Sequence, residues 1–183
     1  MTDLSPSEVA ALFDLDERRV RKDVEYGVFD PISSPPRLDL AKVVYLLTLA
    51  ELAFELGVED RKKIYVLIAQ GLRAKRRQDI SLSAHVVIKL DHLARDTENR
   101  LKAFRTWKNE LVSHVDILGG EPVFPKSRLA VRHIGEMARR GAPVEEILED
   151  YPSLQKRDIE FAKRYVVAYP RVGRPRAREA TAR

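Results

Sequence analysis

The sequence predicts a mainly α-helical protein, and three observations carry the prediction. Apolar residues recur at three- and four-residue spacing through most of the chain, behind residue types that cap helices. One segment only, 80–90, switches to strict alternation. A glycine pair, Gly119-Gly120, sets off a last stretch with three further short helical periods. The expected layout is a helix-turn-helix domain over 1–78 and a strand-plus-long-helix connector over 79–118. A small C-terminal three-helix domain, helix-turn-helix-like and opened by a short β-hairpin, then spans 119–170, and a basic tail spans 171–183.

Each element has its own signal. In Ser5-Pro6-Ser7-Glu8 the serine can cap the third amide, Glu8 can reach back, and Pro6 leaves no N–H unpaired. Val9, Leu12 and Phe13 then form one apolar face. Asp14-Leu15-Asp16 interrupts, and Asp16 can cap a second helix to about Tyr26 with Val20 and Val24 inward. Gly27 suits its end, and Pro31, Pro35 and Pro36 block continuation. A largely buried helix is expected from Asp39 to Leu56, and another from Asp60 to about Arg73 that buries Ile64, Leu67 and Ile68. From Ile80 to Leu90 six apolar residues alternate with Ser81, Ser83, His85, Val87 and Lys89, which predicts an eleven-residue strand. A helix of about twenty residues follows to Val112. Beyond the glycines, Val123-Phe124 and Leu129-Ala130-Val131 flank a hairpin turn at Pro125-Lys126-Ser127. Helices over 131–140, 143–150 and 155–168 come next, the last capped by Ser153.

Composition bounds function. The chain has 183 residues, no Cys and a net charge of +5. Without Cys, thiol nucleophiles, disulfides and Cys-containing zinc sites are excluded. No apolar run approaches the roughly 20 residues of a membrane span, and the N-terminus is unlike a secretory signal, so a cytoplasmic setting without membrane contact is expected. The last thirteen residues hold five Arg and one Glu, most of the net charge. A second concentration lies at 61–77, where seven cations, Arg61, Lys62 and Lys63 among them, meet no acid. Two basic segments on a near-neutral body suit a polyanionic partner, or else solvated helix faces and a free tail. His85, His92, His114 and His133 form no closely spaced pair, Ser127 has no nucleophile-elbow context, and Gly119-Gly120 lacks the Lys of a phosphate loop. No cofactor and no catalytic activity are expected.

Two stretches resemble known families. Residues 5–29, through Val9-Ala10, Leu15, Arg18, Val20, Arg21 and Gly27-Val28-Phe29, resemble the opening helix-turn-helix of MerR-type regulators and excisionases. They depart from it at Asp14, where the turn usually has Gly, and at Lys22-Asp23, where aromatics are usual. Residues 115–169 resemble the domain of unknown function 433, common in VapB-like antitoxins. The likeness rests on Gly119-Gly120-Glu121-Pro122-Val123-Phe124, Arg128-Leu129-Ala130-Val131, the run from Val144 to Leu154, and Asp158-Ile159. The departure is Pro125-Lys126-Ser127, in place of the usual Gly-Thr. The resemblance implies an antitoxin that binds operator DNA, represses its own transcription and neutralises a PIN-like ribonuclease.

The residues nominate sites of their own. Arg18, Arg19, Arg21 and Lys22 occupy the first turns of the second helix, where a recognition helix meets the major groove. Asp16, Glu17 and Asp23 oppose that contact, since they repel phosphates unless they cap or pair. Arg61, Lys62 and Lys63 would extend the surface. Lys156 and Arg157 decorate the last helix, which either contacts DNA or serves dimerisation and toxin binding. Arg174 and Arg176, in Gly173-Arg174-Pro175-Arg176, resemble an AT-hook core. That tail could lie in a minor groove, enter a toxin's acidic pocket, or do neither. An eleven-residue strand without a long partner predicts a homodimer through Ile80, Leu82, Val86 and Ile88. The alternative from another class is an adaptor whose helix-turn-helix units bind proteins rather than DNA.

Overall fold

A computed structural model describes residues 3–29, 31–52 and 55–171. Among them are eight α-helices: α1 (Pro6–Phe13), α2 (Glu17–Glu25), α3 (Leu40–Glu51), α4 (Val58–Arg73), α5 (Leu90–Glu110), α6 (Val131–Arg139), α7 (Val144–Asp150) and α8 (Lys156–Ala168). Two short strands, β1 (Ile80–Ser81) and β2 (Val87–Ile88), pair antiparallel between α4 and α5. The mainly helical layout and its order are those the sequence predicts.

The caps explain the first helices. The Glu8 amide donates to Ser5 Oγ at 3.3 Å, and Glu8 Oε2 accepts from the Ser5 amide at 2.8 Å, closing a capping box. Asp14 takes the left-handed conformation, φ 55°, that a turn glycine would otherwise supply, and Asp16 caps α2 by accepting from the Arg18 amide at 2.9 Å. The β-hairpin expected at 123–131 is a pair of backbone contacts. Val123 bridges Ala130 and also Val112, and the Phe124 amide donates to the Leu129 carbonyl at 3.0 Å. Lys126 carries the positive φ, 56°, that the turn needs without a glycine.

Four expectations change. The eleven-residue strand is a hairpin: the Leu82 amide donates to the Val86 carbonyl at 2.8 Å, and the chain reverses at 83–85. Serines make the reversal, Ser81 Oγ donating to the Ser83 carbonyl and Ser83 Oγ accepting from the His85 amide. The helix expected to run to Leu56 ends at Glu51, with Leu52 extended. Leu67, expected inside, lies on the exposed side of α4. Gln155 rather than Ser153 caps α8, in a reciprocal box with Asp158.

One buried apolar cluster runs through the segments 1–78, 79–118 and 119–170. At its N-terminal end Phe29, Tyr45 and Tyr65 meet edge to face. Towards the C-terminus Phe104 stacks on Trp107, and Phe124 and Phe161 meet this pair edge to face or tilted. The last helix, α8, packs on α6 and, across the whole length of the sequence, on α1. Glu8 of α1 ties this junction: buried, it accepts from Lys108 Nζ of α5 at 2.5 Å and from the Tyr169 hydroxyl at 2.6 Å. Arg164 of α8 binds Asp14 in the turn between α1 and α2. The α1–α2 pair is thereby held on its inner side, and α2 presents its charged face outward.

Candidate nucleic-acid interface

The second helix buries little: Val20 and Asp23 point inward, while Arg18, Arg19, Arg21 and Lys22 are exposed. The four cations are not equivalent. Arg21 Nε donates to Glu17 Oε1 at 2.8 Å and its terminal nitrogen to Ser7 Oγ at 3.1 Å, so Arg21 is tied to α1. Ser7, at 2.7 Å, and then Arg21 hold the Glu17 carboxyl below its ordinary pKa. Arg18, Arg19 and Lys22 have no carboxylate within ion-pair distance among the described residues. They open onto a hollow of about 460 Å³ whose other walls are Tyr26, Leu49, Leu56 and Arg61 and the two acids Asp16 and Glu55.

Arg61 reaches this hollow from the start of α4. Its guanidinium binds Asp23 Oδ1 at 2.5 Å and lies 5.7 Å from the centre of the Tyr26 ring. Asp23 is fully buried, and its second oxygen accepts from the Tyr45 hydroxyl at 3.2 Å. Burial pushes the Asp23 carboxyl above the usual carboxylate range, against the opposing pull of Arg61 and Tyr45. Burial, and then Asp23, raise the Tyr45 hydroxyl well above a normal phenol. Three acids of this region have partners within the chain, while Glu25 at the end of α2 and Glu55 at the hollow stay exposed. Asp16 caps, Glu17 binds Ser7 and Arg21, and Asp23 anchors Arg61, leaving an outer surface dominated by cations.

Of the basic stretch 61–77, Arg61 alone joins the α2 cations at the hollow. Lys62 pairs with Glu59 at 3.3 Å, Lys63 with Asp60 at 3.1 Å, and Arg77 with Glu98 at 2.6 Å. On α8, Lys156 lies 3.6 Å from Glu145 and Arg157 3.8 Å from Asp158, both at the solvent edge. That helix is chiefly a packing element, burying Ile159, Phe161, Ala162 and Val166. Arg174 and Arg176 lie outside the described residues. Ile80, Leu82, Val86 and Ile88 turn their side chains into the chain, Ile88 buried and the others half-buried. Leu82, Val86 and Ile88 line a groove of about 300 Å³ with Leu52 and Leu93, beside exposed Val87. The histidines stand apart, His92 near Asp96, His114 near Asp116 and His133 against Tyr151.

Sequence reasoning treats Asp23 as repelling phosphates unless it caps or pairs, and misses that Arg61 is the partner. The position of Asp23 beside Val20 and Val24, on the inward stripe of α2, is the signal that could have placed it inside. A second cationic hollow, along one face of α6, is also missed. Its signal is Arg139-Arg140 closing a helical period just before Gly141.

Residues 112–166 match the family described as protein of unknown function (DUF433). A 91-residue stretch is 34% identical to an uncharacterized protein, y4eO, of Sinorhizobium fredii; the match covers 50% of this chain and 41% of that protein. The chain thus aligns with less than half the length of that relative. No solved structure gives a significant match. No helix among the described residues is long and apolar enough to cross a membrane.

Proposed function

We propose that this chain is the DNA-binding antitoxin of a type II toxin–antitoxin pair, repressing its own transcription from operator DNA and neutralising a PIN-like ribonuclease in the cytoplasm. The observation that carries the DNA half is the set of three carboxylate-free cations, Arg18, Arg19 and Lys22, on an exposed helix facing the same hollow as Arg61. Side chains in the first turns of such a helix enter the major groove. There Arg reads guanine through two parallel hydrogen bonds and Lys grips phosphate. The partners that Asp16, Glu17 and Asp23 find within the chain lower the electrostatic objection to that contact, and the cations outnumber the two acids, Asp16 and Glu55, on the wall of the hollow. Support for the antitoxin half is the resemblance of 115–169 to a domain common in VapB-like antitoxins, over a stretch whose matching family, at 112–166, is described as of unknown function. Dimerisation belongs to the proposal too, through the open outer edges of the β1–β2 hairpin and exposed Val87.

The test is a gel-shift titration with DNA from upstream of the gene, at fixed salt. The Arg18→Ala/Arg19→Ala variant is expected to lose binding with its melting temperature unchanged, since both residues are exposed. Equal affinity of variant and wild type would remove α2 from the interface. Co-expression with the ribonuclease encoded next to the gene tests the other half: growth is rescued on this reading. The adaptor alternative is favoured by one feature, the adjacent exposed Val66 and Leu67 on α4. It would show as capture of a protein partner that Val66→Ser/Leu67→Ser abolishes, with no DNA shift.

A further inference from the structure

The hollow along one face of α6, from Arg132 in its first turn to Arg140 at its end, holds about 480 Å³ and is walled by Arg132, Arg139, Arg140 and Arg171, with Glu121 and Glu136 as the acids that oppose them. Those two carboxylates are shared unequally. Glu121 Oε1 binds Arg132 Nε at 2.9 Å, and its other oxygen reaches Arg171 at 3.5 Å. Glu136 pairs with Arg139 at 2.8 Å. Arg140 has no carboxylate partner among the described residues, and Arg171, three-quarters exposed, is held only at the distance limit. A last-turn cation complements a helix dipole. Four guanidinium groups around one concavity exceed that need and leave a surplus of two positive charges.

The hollow is also placed next to the helix-turn-helix. Arg132 donates to the Tyr169 carbonyl at 2.9 Å, and the Tyr169 hydroxyl donates to Glu8 in α1 at 2.6 Å. One tyrosine therefore spans from the edge of the hollow to the helix that precedes α2. Arg171 begins the thirteen-residue stretch with five Arg, so the hollow is continuous in sequence with the most basic segment of the chain.

We infer that this hollow is a second contact for DNA, with Arg140 and Arg171 taking backbone phosphates and Arg132 fixing the floor. The inference rests on the DNA-binding reading above and moves the C-terminal contact from α8, where Lys156 and Arg157 face acids, to the end of α6. Guanidinium forks match phosphate oxygens in pairs, and backbone contacts of this kind position a protein without reading sequence.

The experiment measures affinity of the full chain for one duplex across a series of salt concentrations. Wild type is compared with Arg140→Gln/Arg171→Gln and, separately, with Glu136→Gln. Every phosphate that a variant no longer neutralises should flatten the slope of log affinity against log salt by about 0.9, so the double variant should flatten it by about two such steps. Glu136→Gln frees Arg139 and should steepen the slope instead. This opposite-signed change is one that misfolding would not produce. Wild-type binding that depends on Arg18 and Arg19 but shows unchanged slopes in both variants overturns this inference and leaves the α2 reading standing. No wild-type DNA binding overturns both. Unchanged DNA slopes together with polyglutamate binding that the double variant abolishes would assign the hollow to an acidic protein partner and refute the nucleic-acid contact.

Discussion

Glu8 is an acid in the interior of the protein, and its surroundings set a measurable pH dependence. Burial alone would push its carboxyl up, but hydrogen bonds from Lys108, Tyr169 and the Ser5 amide outweigh burial and hold it below its ordinary value of 4.5. A carboxyl depressed in the folded state contributes stability that is fully present above its unfolded pKa. That contribution is lost as pH falls through the folded value. Glu8→Gln should therefore cost about 1.5–3 kcal/mol at neutral pH, the range for hydrogen bonds to a charged group. The gap from wild type in urea titrations should close as pH falls below the ordinary carboxylate range. Asp23 acts in the opposite sense, because its raised carboxyl is stabilised by protonation as pH falls. On α2 the geometry ranks the cations for DNA. Arg18→Ala and Arg19→Ala should each weaken operator binding by about 1–3 kcal/mol. Arg21→Ala should cost less, because its guanidinium already bonds Glu17 and Ser7.

At the scale of elements, the crossing of α6 and α8 sets how closely the C-terminal helices approach. A Cβ added at Gly135 would stand 2.3 Å from the Ala162 carbonyl oxygen and 2.7 Å from Val166 Cγ1. Backbone cannot yield as a side-chain tip can, so Gly135→Ala should destabilise by about 1–3 kcal/mol or more, read from the denaturant midpoint. The β1–β2 hairpin shows how a legible pattern can mislead. Alternation over 80–90 marks the inward residues on both arms, with Ile88 buried and Val87 exposed, but fails at Ala84, which is exposed in the reversal. It does not distinguish one long strand from two short ones, because a tight reversal preserves the alternation on both arms. Ser81 and Ser83, counted as the polar half of the pattern, are turn formers through their side-chain hydrogen bonds. Internal pairing removes the need for a partner strand on the inner edge, and the proposed dimer rests on the outer edges. Light scattering at micromolar concentration, repeated with Val87→Lys, should show a dimer that the variant dissociates.

For the whole molecule, residues 172–183 separate two uses of the same charge. They hold four Arg and one Glu, with one Val and three Ala as their apolar residues, so their removal should leave the melting temperature unchanged. If they lie along DNA, truncation should flatten the salt dependence by about 0.9 for each phosphate they neutralise, and ribonuclease inhibition should persist. If they enter the toxin's acidic pocket, truncation should release ribonuclease activity while the salt slope stays unchanged.

The helical class, the order of the helices, the Ser5–Glu8 and Asp16 caps and the cationic first turns of α2 are all legible in the amino-acid order. Each depends on residues a few positions apart, whose geometry the local backbone dictates. Tertiary structure decided which charges are free. Asp23 is silenced by Arg61, 38 positions away, and α1 is locked to the chain end through Glu8 and Tyr169, 161 positions apart. The arginines at the end of α6 gather around one hollow with Arg171. Ion pairing and burial depend on approach in space, and no spacing along a single chain encodes which distant side chain will arrive.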